Sequence, residues 1–382
     1  MRFCISPAEL KSAFDAIGKA LVAKNAMPVF DNILIAPVSG DSSSLSFTAS
    51  DGEIAATVNV PVTELSDFQT ALIPANNLSL FIKDGISIFP VEFEYNPANQ
   101  EWKVCDQDGT FNFIAPISAI EYPEYKPMKE EASSISIPRP FFLDAVSAAV
   151  FYVAQDDLRP VMCGVYVCVS GNSISVAASN SKLLFSDSAV LDGSNVDVSF
   201  ILPSRAVSLI KALFSVGDND MLQITTDGSN LCIVSSGRTL KARIIDGKYP
   251  RYETVIPKQQ SRFAVIDTAR LIAGMKRVQM AANSATKQVK MSWDQGQLTL
   301  YAQDVDFSTA ATVKVKCESA EHLERFDIGV RAPFLLDAIK AINGSSVRMQ
   351  MCEDSSRPIV IRPLASDSNR LVLVMPMMLT DF

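Results

Sequence analysis

The stretch Leu202-Pro203-Ser204-Arg205-Ala206-Val207-Ser208-Leu209-Ile210-Lys211 decides the fold, because its pattern recurs at 73–83 and at 330–340. Each copy has an extended entry, a proline or small residue, and apolar residues at helical spacing that end at a lysine. A period close to one domain length is too long for a solenoid, whose repeats contain roughly 20–50 residues. The sequence therefore predicts three sister domains in one chain.

Another amphipathic helix pattern precedes each of these copies. Its apolar stripes comprise Leu10, Phe14, Ile17 and Leu21, then Phe142, Ala145, Val146 and Ala149, then Leu271, Ile272, Met275 and Val278. Alternating strand patterns and Asp-Gly turn signals between the helices predict hairpins and mainly antiparallel sheets. Proline-bearing linkers near 121–131 and 248–257 give expected domains at 1–131, 132–259 and 260–382. We predict an α+β fold in which each repeat holds two strand, helix, three-strand units, with its two helices side by side on one face of the sheets.

The composition indicates a folded protein without a membrane span. Apolar residues make up 48% of the 382 residues, which is enough for packed cores. No apolar run approaches the roughly 18 residues of a spanning helix, and the first residues lack the apolar run of a signal peptide. Seven cysteines without Cys-x-x-Cys spacing are typical of thiols in a reducing compartment. We therefore expect a cytoplasmic protein.

The net charge of −8 argues against nucleic-acid binding until its distribution along the chain is considered. The six predicted helices carry eleven basic and five acidic residues, a net +6, which leaves −14 for the rest of the chain. The basic residues are Lys11, Lys19, Lys83, Arg139, Arg205, Lys211, Arg270, Lys276, Arg277, Arg331 and Lys340. This segregation indicates a cationic helical surface, although solvated helix faces explain it about equally well.

Few residues suggest catalysis. The single histidine, His322, lies in a charged stretch without a nucleophile motif beside it. The acidic clusters at 156–157, 218–220 and 304–306 lack the spacing of a known metal loop, and the sequence has no phosphate-binding glycine motif. We therefore expect no enzyme activity, no metal and no cofactor. A metal-dependent hydrolase that uses Asp304 and Asp306 is the weaker alternative.

Four segments carry a resemblance that extends over the whole chain. They are Met27-Pro28-Val29-Phe30-Asp31-Asn32-Ile33-Leu34, Asp157-Leu158-Arg159-Pro160-Val161-Met162-Cys163-Gly164, Asp246-Gly247-Lys248-Tyr249-Pro250-Arg251-Tyr252 and Val374-Met375-Pro376-Met377. Their order and spacing resemble the bacterial sliding clamp, the beta subunit of DNA polymerase III. The resemblance implies three DNA-clamp domains per chain and a head-to-tail dimeric ring, with antiparallel sheets outside and paired helices inside.

The same resemblance implies a processivity factor that encircles duplex DNA independently of sequence and slides on it. DNA-facing cations would be Lys19, Lys24, Arg159, Arg205, Lys211, Lys276, Arg277, Arg331 and Lys340. The segment 156–161 corresponds to a DNA-contacting loop of the family, but Asp156, Pro160 and Val161 replace its aromatic and amide residues. The sequence therefore leaves this contact open.

The resemblance also implies an apolar cleft for short linear peptides of the replicative polymerase, the clamp loader and repair proteins. Its residues would be Met162, Leu183, Pro250, Val255, Pro358, Leu373, Met375, Pro376 and Met377. The segment 178–183 keeps only the leucine of the family pattern, so the preferred peptide stays open. So does the role of the five residues that follow Met377.

The subunit interface would contain Phe111 of the first domain and Val278 and Met280 of the third. No membrane partner is expected. The leading alternative function is a clamp-like interaction scaffold that does not encircle DNA.

Overall fold

The computed structural model describes residues 1–85, 88–125, 128–156, 158–191, 196–217, 220–294, 296–321, 326–364 and 368–379. The first repeat contains β1 (Arg2–Ile5), α1 (Pro7–Ile17), β2 (Asn32–Val38), β3 (Asp41–Ser50), β4 (Ile54–Pro61), β5 (Thr63–Ser66), β6 (Ala71–Pro74), α2 (Ala75–Leu80), β7 (Val91–Asn96), β8 (Glu101–Cys105) and β9 (Thr110–Ile114). The second contains β10 (Ser133–Pro138), α3 (Arg139–Ala149), β11 (Gly164–Ser170), β12 (Ser173–Ser179), β13 (Leu183–Val190), β14 (Val198–Pro203), α4 (Ser204–Phe214), β15 (Met221–Thr226), β16 (Asn230–Ser235) and β17 (Arg238–Arg243). The third contains β18 (Arg262–Asp267), α5 (Thr268–Val278), β19 (Gln288–Asp294), β20 (Gln297–Asp304), β21 (Thr309–Lys316), β22 (Ser319–Glu321), β23 (Phe326–Arg331), α6 (Ala332–Ala341), β24 (Ser346–Met351), β25 (Ile359–Pro363) and β26 (Leu371–Val374).

The predicted order of elements is confirmed in all three repeats: strand, helix and three strands, twice, with β5 and β22 as short additions. Local chemistry starts the first helices. The Ser6 hydroxyl accepts the Glu9 amide at 3.2 Å, which caps the N-terminus of α1, and it donates to the Glu9 carboxylate at 2.9 Å. Asp267 caps α5 by accepting the Arg270 amide at 2.7 Å.

The Asp-Gly pairs are turns, but they are not all hairpins. Those at 51–52, 108–109 and 227–228 connect β3 to β4, β8 to β9 and β15 to β16. The pair at 84–85 instead ends the helical turn Phe81–Gly85, and that at 246–247 begins the linker after β17. Asp-Gly therefore indicates a turn and not the strand pairing that follows. Gly52, Gly228 and Gly247 take positive φ, whereas Gly85 and Gly109 do not. The pair at 192–193 lies outside the described residues.

The chain divides into two compact units, and their limits differ from those of the repeats. The first unit comprises 1–147 and 202–246, and the second comprises 148–201 and 247–382. Strands of different repeats pair with each other inside each unit, which explains why contacts cluster across repeat borders. The domain boundaries after 131 and 259 remain a prediction from the sequence.

The first unit contains two antiparallel sheets. One has the order β5-β1-β7-β8-β9, and the other has the order β10-β15-β16-β17-β4-β3-β2-β6. The second sheet joins two repeats through β17 and β4. Behind the first sheet, Phe3 stacks on Phe93 at 5.0 Å, and the Trp102 indole donates to the Leu72 carbonyl at 2.7 Å. Helix α4 contacts α1 in this unit.

The second unit also contains two antiparallel sheets. Their orders are β14-β11-β12-β13-β26-β25-β24-β18-β22 and β21-β20-β19-β23. The nine-stranded sheet joins two repeats through β13 and β26, with Leu183 opposite Val374 and Phe185 opposite Val372. This joint brings the C-terminal strand beside the segment 178–183.

A buried ion pair fixes the joint between β13 and β26. Two nitrogens of the Arg370 guanidinium lie 2.8 Å from the same Asp187 oxygen, and both side chains are 7% exposed. The third nitrogen of Arg370 donates to the Ala341 carbonyl at the end of α6, and the guanidinium lies 5.4 Å from the Phe185 ring centre. Strand β26 therefore has one strongly preferred position on β13.

We expect Asp187→Ala to lower the free energy of unfolding by about 3–5 kcal/mol, because it removes the buried carboxylate that two nitrogens of the Arg370 guanidinium bond. The double variant Asp187→Leu with Arg370→Met should recover much of this loss, since it removes both charges. Lys103→Ala is the control: its pair with Glu94 spans 3.6 Å between half-exposed side chains and contributes at most about 1 kcal/mol. Guanidinium unfolding of the three variants measures the differences. Equal losses in Asp187→Ala and Lys103→Ala would contradict the role of the pair.

Candidate functional site

The second unit contains a cavity of about 1460 Å³ beside the joint of β13 and β26. Three segments and three further residues form it. The lining residues fall in 179–184, 249–259 with Ser261, and 352–358, together with Met162, Leu373 and Met375. The volume exceeds that of a typical small-molecule pocket and suits an extended segment of a partner.

Strand pairing positions the apolar floor of the cavity. Leu183 and Leu373 are buried on adjacent strands, and the Met375 amide donates to the Lys182 carbonyl at 2.9 Å just beyond the last strand pair. Met375 and Val255 keep 38% and 56% of their surface exposed. Exposed apolar side chains in a concave surface are typical of a binding site.

Tyrosines build the wall behind the floor. The Tyr249 ring stacks on Tyr166 at 4.8 Å, and Tyr252 meets Tyr166 edge-on at 6.4 Å. The Tyr249 hydroxyl accepts the Ser179 amide at 3.0 Å, and burial raises the pKa of Tyr249 to about 12. These tyrosines were not predicted as wall residues, although the segment Tyr249-Pro250-Arg251-Tyr252, which carries part of the family resemblance, contains two of them.

A tight turn closes one side of the cavity. The Asn180 side chain accepts the amides of Lys182 and Leu183 at 3.0 and 2.9 Å, and Ser181 takes a φ of 72°. Asn180 does what Asp51 does in the first repeat, where it accepts the amides of Glu53 and Ile54. The segment 178–183, which departs from the family pattern, thus forms a tight turn all the same, and the departure changes only the side chains at the rim.

An ion pair lies next to this turn. Arg159 is 2.6 Å from Asp156 and donates to the Ser181 hydroxyl. Hydrogen bonding by Arg159 lowers the pKa of Asp156. The segment 156–161, considered above for DNA contact, therefore touches the cavity through Arg159. Asp157 lies outside the described residues.

The structure brings together seven of the nine residues predicted for the cleft. These are Met162, Leu183, Pro250, Val255, Pro358, Leu373 and Met375. Pro376 and Met377 are not among the lining residues, because the chain turns away: the Met377 amide donates to the Gly329 carbonyl at 2.8 Å. A side chain added at Gly329 would lie 2.5 Å from the Met377 carbonyl oxygen, so glycine permits this close approach. Residues 380–382 lie outside the described part of the chain.

Five of the nine predicted DNA-facing cations are exposed and have no ion-pair partner among the described residues. They are Lys19, Lys24 and Lys211 in the first unit and Lys276 and Arg277 in the second. Lys340 lies 3.6 Å from Asp337, Arg331 lies over the Phe334 ring at 4.9 Å, and Arg159 pairs with Asp156.

Arg205 differs from the prediction, because its guanidinium is occupied by partners within the first unit. Its guanidinium bonds the Asp51 carboxylate and donates to the Ala20 carbonyl at 2.7 Å. Both acceptors belong to the first repeat, so Arg205 ties the second repeat to the first inside one unit. A phosphate would have to displace these partners.

The predicted interface residues have different exposures. Phe111 is 37% exposed on β9, and Met280 is 80% exposed after α5. Val278 is fully buried in its own unit, so its assignment as a surface residue is wrong. It belongs to the apolar stripe of α5, which the helical spacing had already indicated.

The described residues offer no support for a hydrolase. Asp304 is buried and its carboxylate accepts the Asp306 amide at 3.1 Å, as in an ordinary turn. No three His, Cys, Asp or Glu side chains in the described part of the chain are grouped as metal ligands. His322 lies outside that part. None of the described helices has the length and apolar character needed to cross a membrane.

Comparisons with known proteins agree with this geometry. Models of the N-terminal, central and C-terminal domains of the DNA polymerase III beta subunit match residues 1–126, 136–251 and 253–378. The chain belongs to this family. A beta sliding clamp of Synechocystis sp. is 24% identical over 100% of both chains, and one of Streptomyces coelicolor is 26% identical over 95% of both.

Solved structures of the family share the fold. A sliding clamp of Pseudomonas aeruginosa, bound to griselimycin, has a TM-score of 0.91 at 21% identity and covers 99% of this chain and 100% of its own. The beta subunit of Thermotoga maritima has a TM-score of 0.88 at 20% identity with the same coverage. The three-domain DNA-clamp fold predicted from the sequence is confirmed.

We expect Tyr249 to make the second unit sensitive to alkali. Its pKa is about 12 in the folded protein and about 10 in the unfolded chain, so its contribution is complete below pH ~10 and is lost as the pH rises toward 12. In Tyr249→Phe the unfolding free energy should fall less steeply over this range. Denaturant titrations at several pH values measure the slope. Identical slopes in both proteins would contradict a buried neutral hydroxyl at the cavity wall.

Proposed function

We propose that this chain is a DNA polymerase processivity factor. Two copies close a ring around duplex DNA, the ring slides, and the cleft holds short peptides of the polymerase, the clamp loader and repair proteins. It acts in the cytoplasm, without catalysis and without a cofactor. Membership in the family supports this function. One feature of the sheets carries the argument: edge strands of neighbouring repeats pair with each other at two places inside the chain, and the strands for a third such pairing are free among the described residues.

The two internal joints use equivalent strands. In the first unit, the outer strand β4 of one three-strand set pairs with the outer strand β17 of the next repeat. In the second unit, β13 pairs with β26 in the same antiparallel sense. The third possible joint would use β21 of the third repeat and β9 of the first. Among the described residues, both are edge strands, each paired on one side only.

Edge strands with unpaired backbone groups are templates for pairing with another chain. Since β9 corresponds to β17 and β26, and β21 to β4 and β13, a second copy of the chain supplies the missing partner of each edge. A head-to-tail contact either closes into a ring or continues as a filament. Closure with two copies gives six repeats and leaves no edge of this kind unpaired.

The internal joints also set the register of the joint between subunits. Ala56 faces Leu240 in the first joint, and Phe185 faces Val372 in the second. Ala311 corresponds to Ala56 and Phe185, because each pairs with an alanine of the preceding strand in its hairpin. These alanines are Ala49 for Ala56, Ala178 for Phe185 and Ala302 for Ala311. Counting paired residues from strand to strand shows that Phe111 on β9 is equivalent to Leu240 on β17 and Val372 on β26. Ala311 should therefore lie opposite Phe111 of the partner subunit.

A helix position supports the same joint. Leu209 is the sixth residue of α4, is fully buried, and belongs to a helix that packs on α1 of the preceding repeat. Leu80 is the sixth residue of α2 and is 59% exposed. By the same packing rule, α2 would lie on α5 of the second copy. Leu80 is then an interface residue that becomes buried only when the second copy binds.

The charges suit sliding. The five exposed cations Lys19, Lys24, Lys211, Lys276 and Arg277 lie on or just after the first or second helices of the repeats. Lysine and arginine contacts to phosphates carry no sequence information, and a small number of them allows movement along the duplex. Ring closure, and not affinity, retains the protein on DNA.

The cleft suits reversible capture of a short peptide. Burial of two or three apolar side chains at about 25 cal/mol per Å² gives useful affinity, from which the cost of ordering the peptide is subtracted. The scaffold that does not encircle DNA is not favoured, because it leaves both free edges and the exposed Leu80 without a role.

Retention on circular DNA tests the function. When its loader places the protein on a nicked circle, we expect it to remain bound through gel filtration and to be released when a restriction enzyme linearises the circle. A phosphate-binding protein that does not enclose DNA would stay on both forms to the same extent, and that result would remove the ring.

We expect Leu80→Arg to convert the dimer into monomers of 41.5 kDa without unfolding them. Each joint would lose about 1.5–3 kcal/mol of apolar burial, and a two-joint ring loses it twice. Sedimentation velocity measures the shift. Val234→Arg is the matched control, since Val234 is 41% exposed on β16 away from the free edges. A dimer in Leu80→Arg as stable as in the control would contradict the α2 contact.

A further inference from the structure

Cations surround the apolar floor of the cleft although the chain as a whole is acidic. Four basic side chains line the cavity, against two acidic ones, in a protein of net charge −8. The basic residues are Lys182, Arg251, Lys258 and Arg357, and the acidic ones are Glu353 and Asp354. Charge of this sign concentrated at one concave surface selects for an occupant of opposite charge.

Rigid backbone holds these cations at the rim. Lys182 lies in the turn capped by Asn180, and its carbonyl accepts the Met375 amide. The Arg251 carbonyl accepts the Thr254 hydroxyl at 2.8 Å, which fixes a 3-10 turn over Tyr252–Val255. Lys258 follows Pro257, whose carbonyl accepts the Gln260 side chain at 3.0 Å. Two of the lining segments, 179–184 and 249–259, thus present three cations beside the same floor.

These charges are available to a ligand. Among the described residues, no carboxylate lies within 4.0 Å of Lys182, Arg251 or Lys258. Arg357 is 4.0 Å from Asp354, whose carboxylate already accepts the amide and hydroxyl of Ser356 at 2.8 and 2.7 Å. Three of the four rim cations therefore have no acidic partner in the part of the chain that the structure describes.

We infer that the cleft selects acidic peptides: segments with two or three apolar anchors for the floor and glutamate or aspartate flanks for the rim. This inference rests on the proposed function of the cleft and specifies its ligand. A nucleic-acid strand fits the same charges less well, since stacking of bases needs open aromatic faces. The wall residues Tyr249 and Tyr252 are only 6% and 8% exposed.

Three labelled synthetic peptides with the same leucine and phenylalanine anchors test the inference. They differ only in flanks of paired Glu, Gln or Lys. By fluorescence anisotropy, the dimer should bind the Glu peptide about three- to tenfold more tightly than the Gln peptide, and the Lys peptide most weakly. The preference should shrink as salt is raised, because exposed charges are screened.

The triple variant Lys182→Gln, Arg251→Gln, Lys258→Gln should abolish this preference and leave affinity for the Gln peptide unchanged. The control Lys11→Gln, Lys83→Gln, Lys129→Gln removes the same charge from exposed positions of the first unit, and should keep the preference. Equal affinity for Glu and Gln peptides in the original protein would overturn the inference while leaving the cleft in place. Failure of all three peptides to bind would instead overturn the cleft assignment. Displacement of the Glu peptide by a single-stranded oligonucleotide at lower concentration would assign the cations to phosphates.

Discussion

Edge-to-edge strand pairing between repeats is the constraint on which the rest of the molecule depends. Pairing of β4 with β17 and of β13 with β26 builds the two largest sheets, and it defines two units whose limits differ from those of the repeats. The second joint also creates the cleft, since it brings Leu373 and Met375 next to Leu183. Because all backbone groups of an inner strand are paired, each joint fixes position and register together.

Much of the fold follows from sequence periodicity. The helical stripes and alternating strands predicted the elements of the repeat in order, apart from the short strands β5 and β22, because burial of one face imposes a period on the residues. The order of strands in a sheet does not leave such a trace. Which edge meets which depends on pairs far apart in the chain, such as Ala56 with Leu240, and a single sequence carries no direct record of them.

The individual site residues show the same division. The apolar floor was predictable through the family resemblance, and Val278 was misassigned only where the resemblance overruled its own helical stripe. Arg205 has the charge of a phosphate ligand, but Asp51 and Ala20, more than 150 positions earlier, occupy its guanidinium. Pro376 and Met377 turn from the cleft because Gly329 accepts a backbone bond at close range. For Arg205 and for Met377, the deciding contact is with a residue distant in sequence.

The joint between subunits should differ from the internal joints in one physical respect. Covalent connection gives the internal joints a high effective concentration, whereas the joint between chains must be stable by its own contacts and still open for DNA to enter. The hairpin at this joint has changed accordingly. In this hairpin, Ala302 pairs with Ala311, and in the equivalent hairpin of the first repeat, Ala49 pairs with Ala56. The connection between the paired alanines is therefore two residues longer at the joint between subunits. The longer turn leaves Val305 and Phe307 69% and 74% exposed. Apolar surface at the tip of a free edge adds association energy without the directional requirements of an ion pair such as Asp51 with Arg205. An apolar contact of this kind can therefore dissociate and re-form as the ring opens and closes.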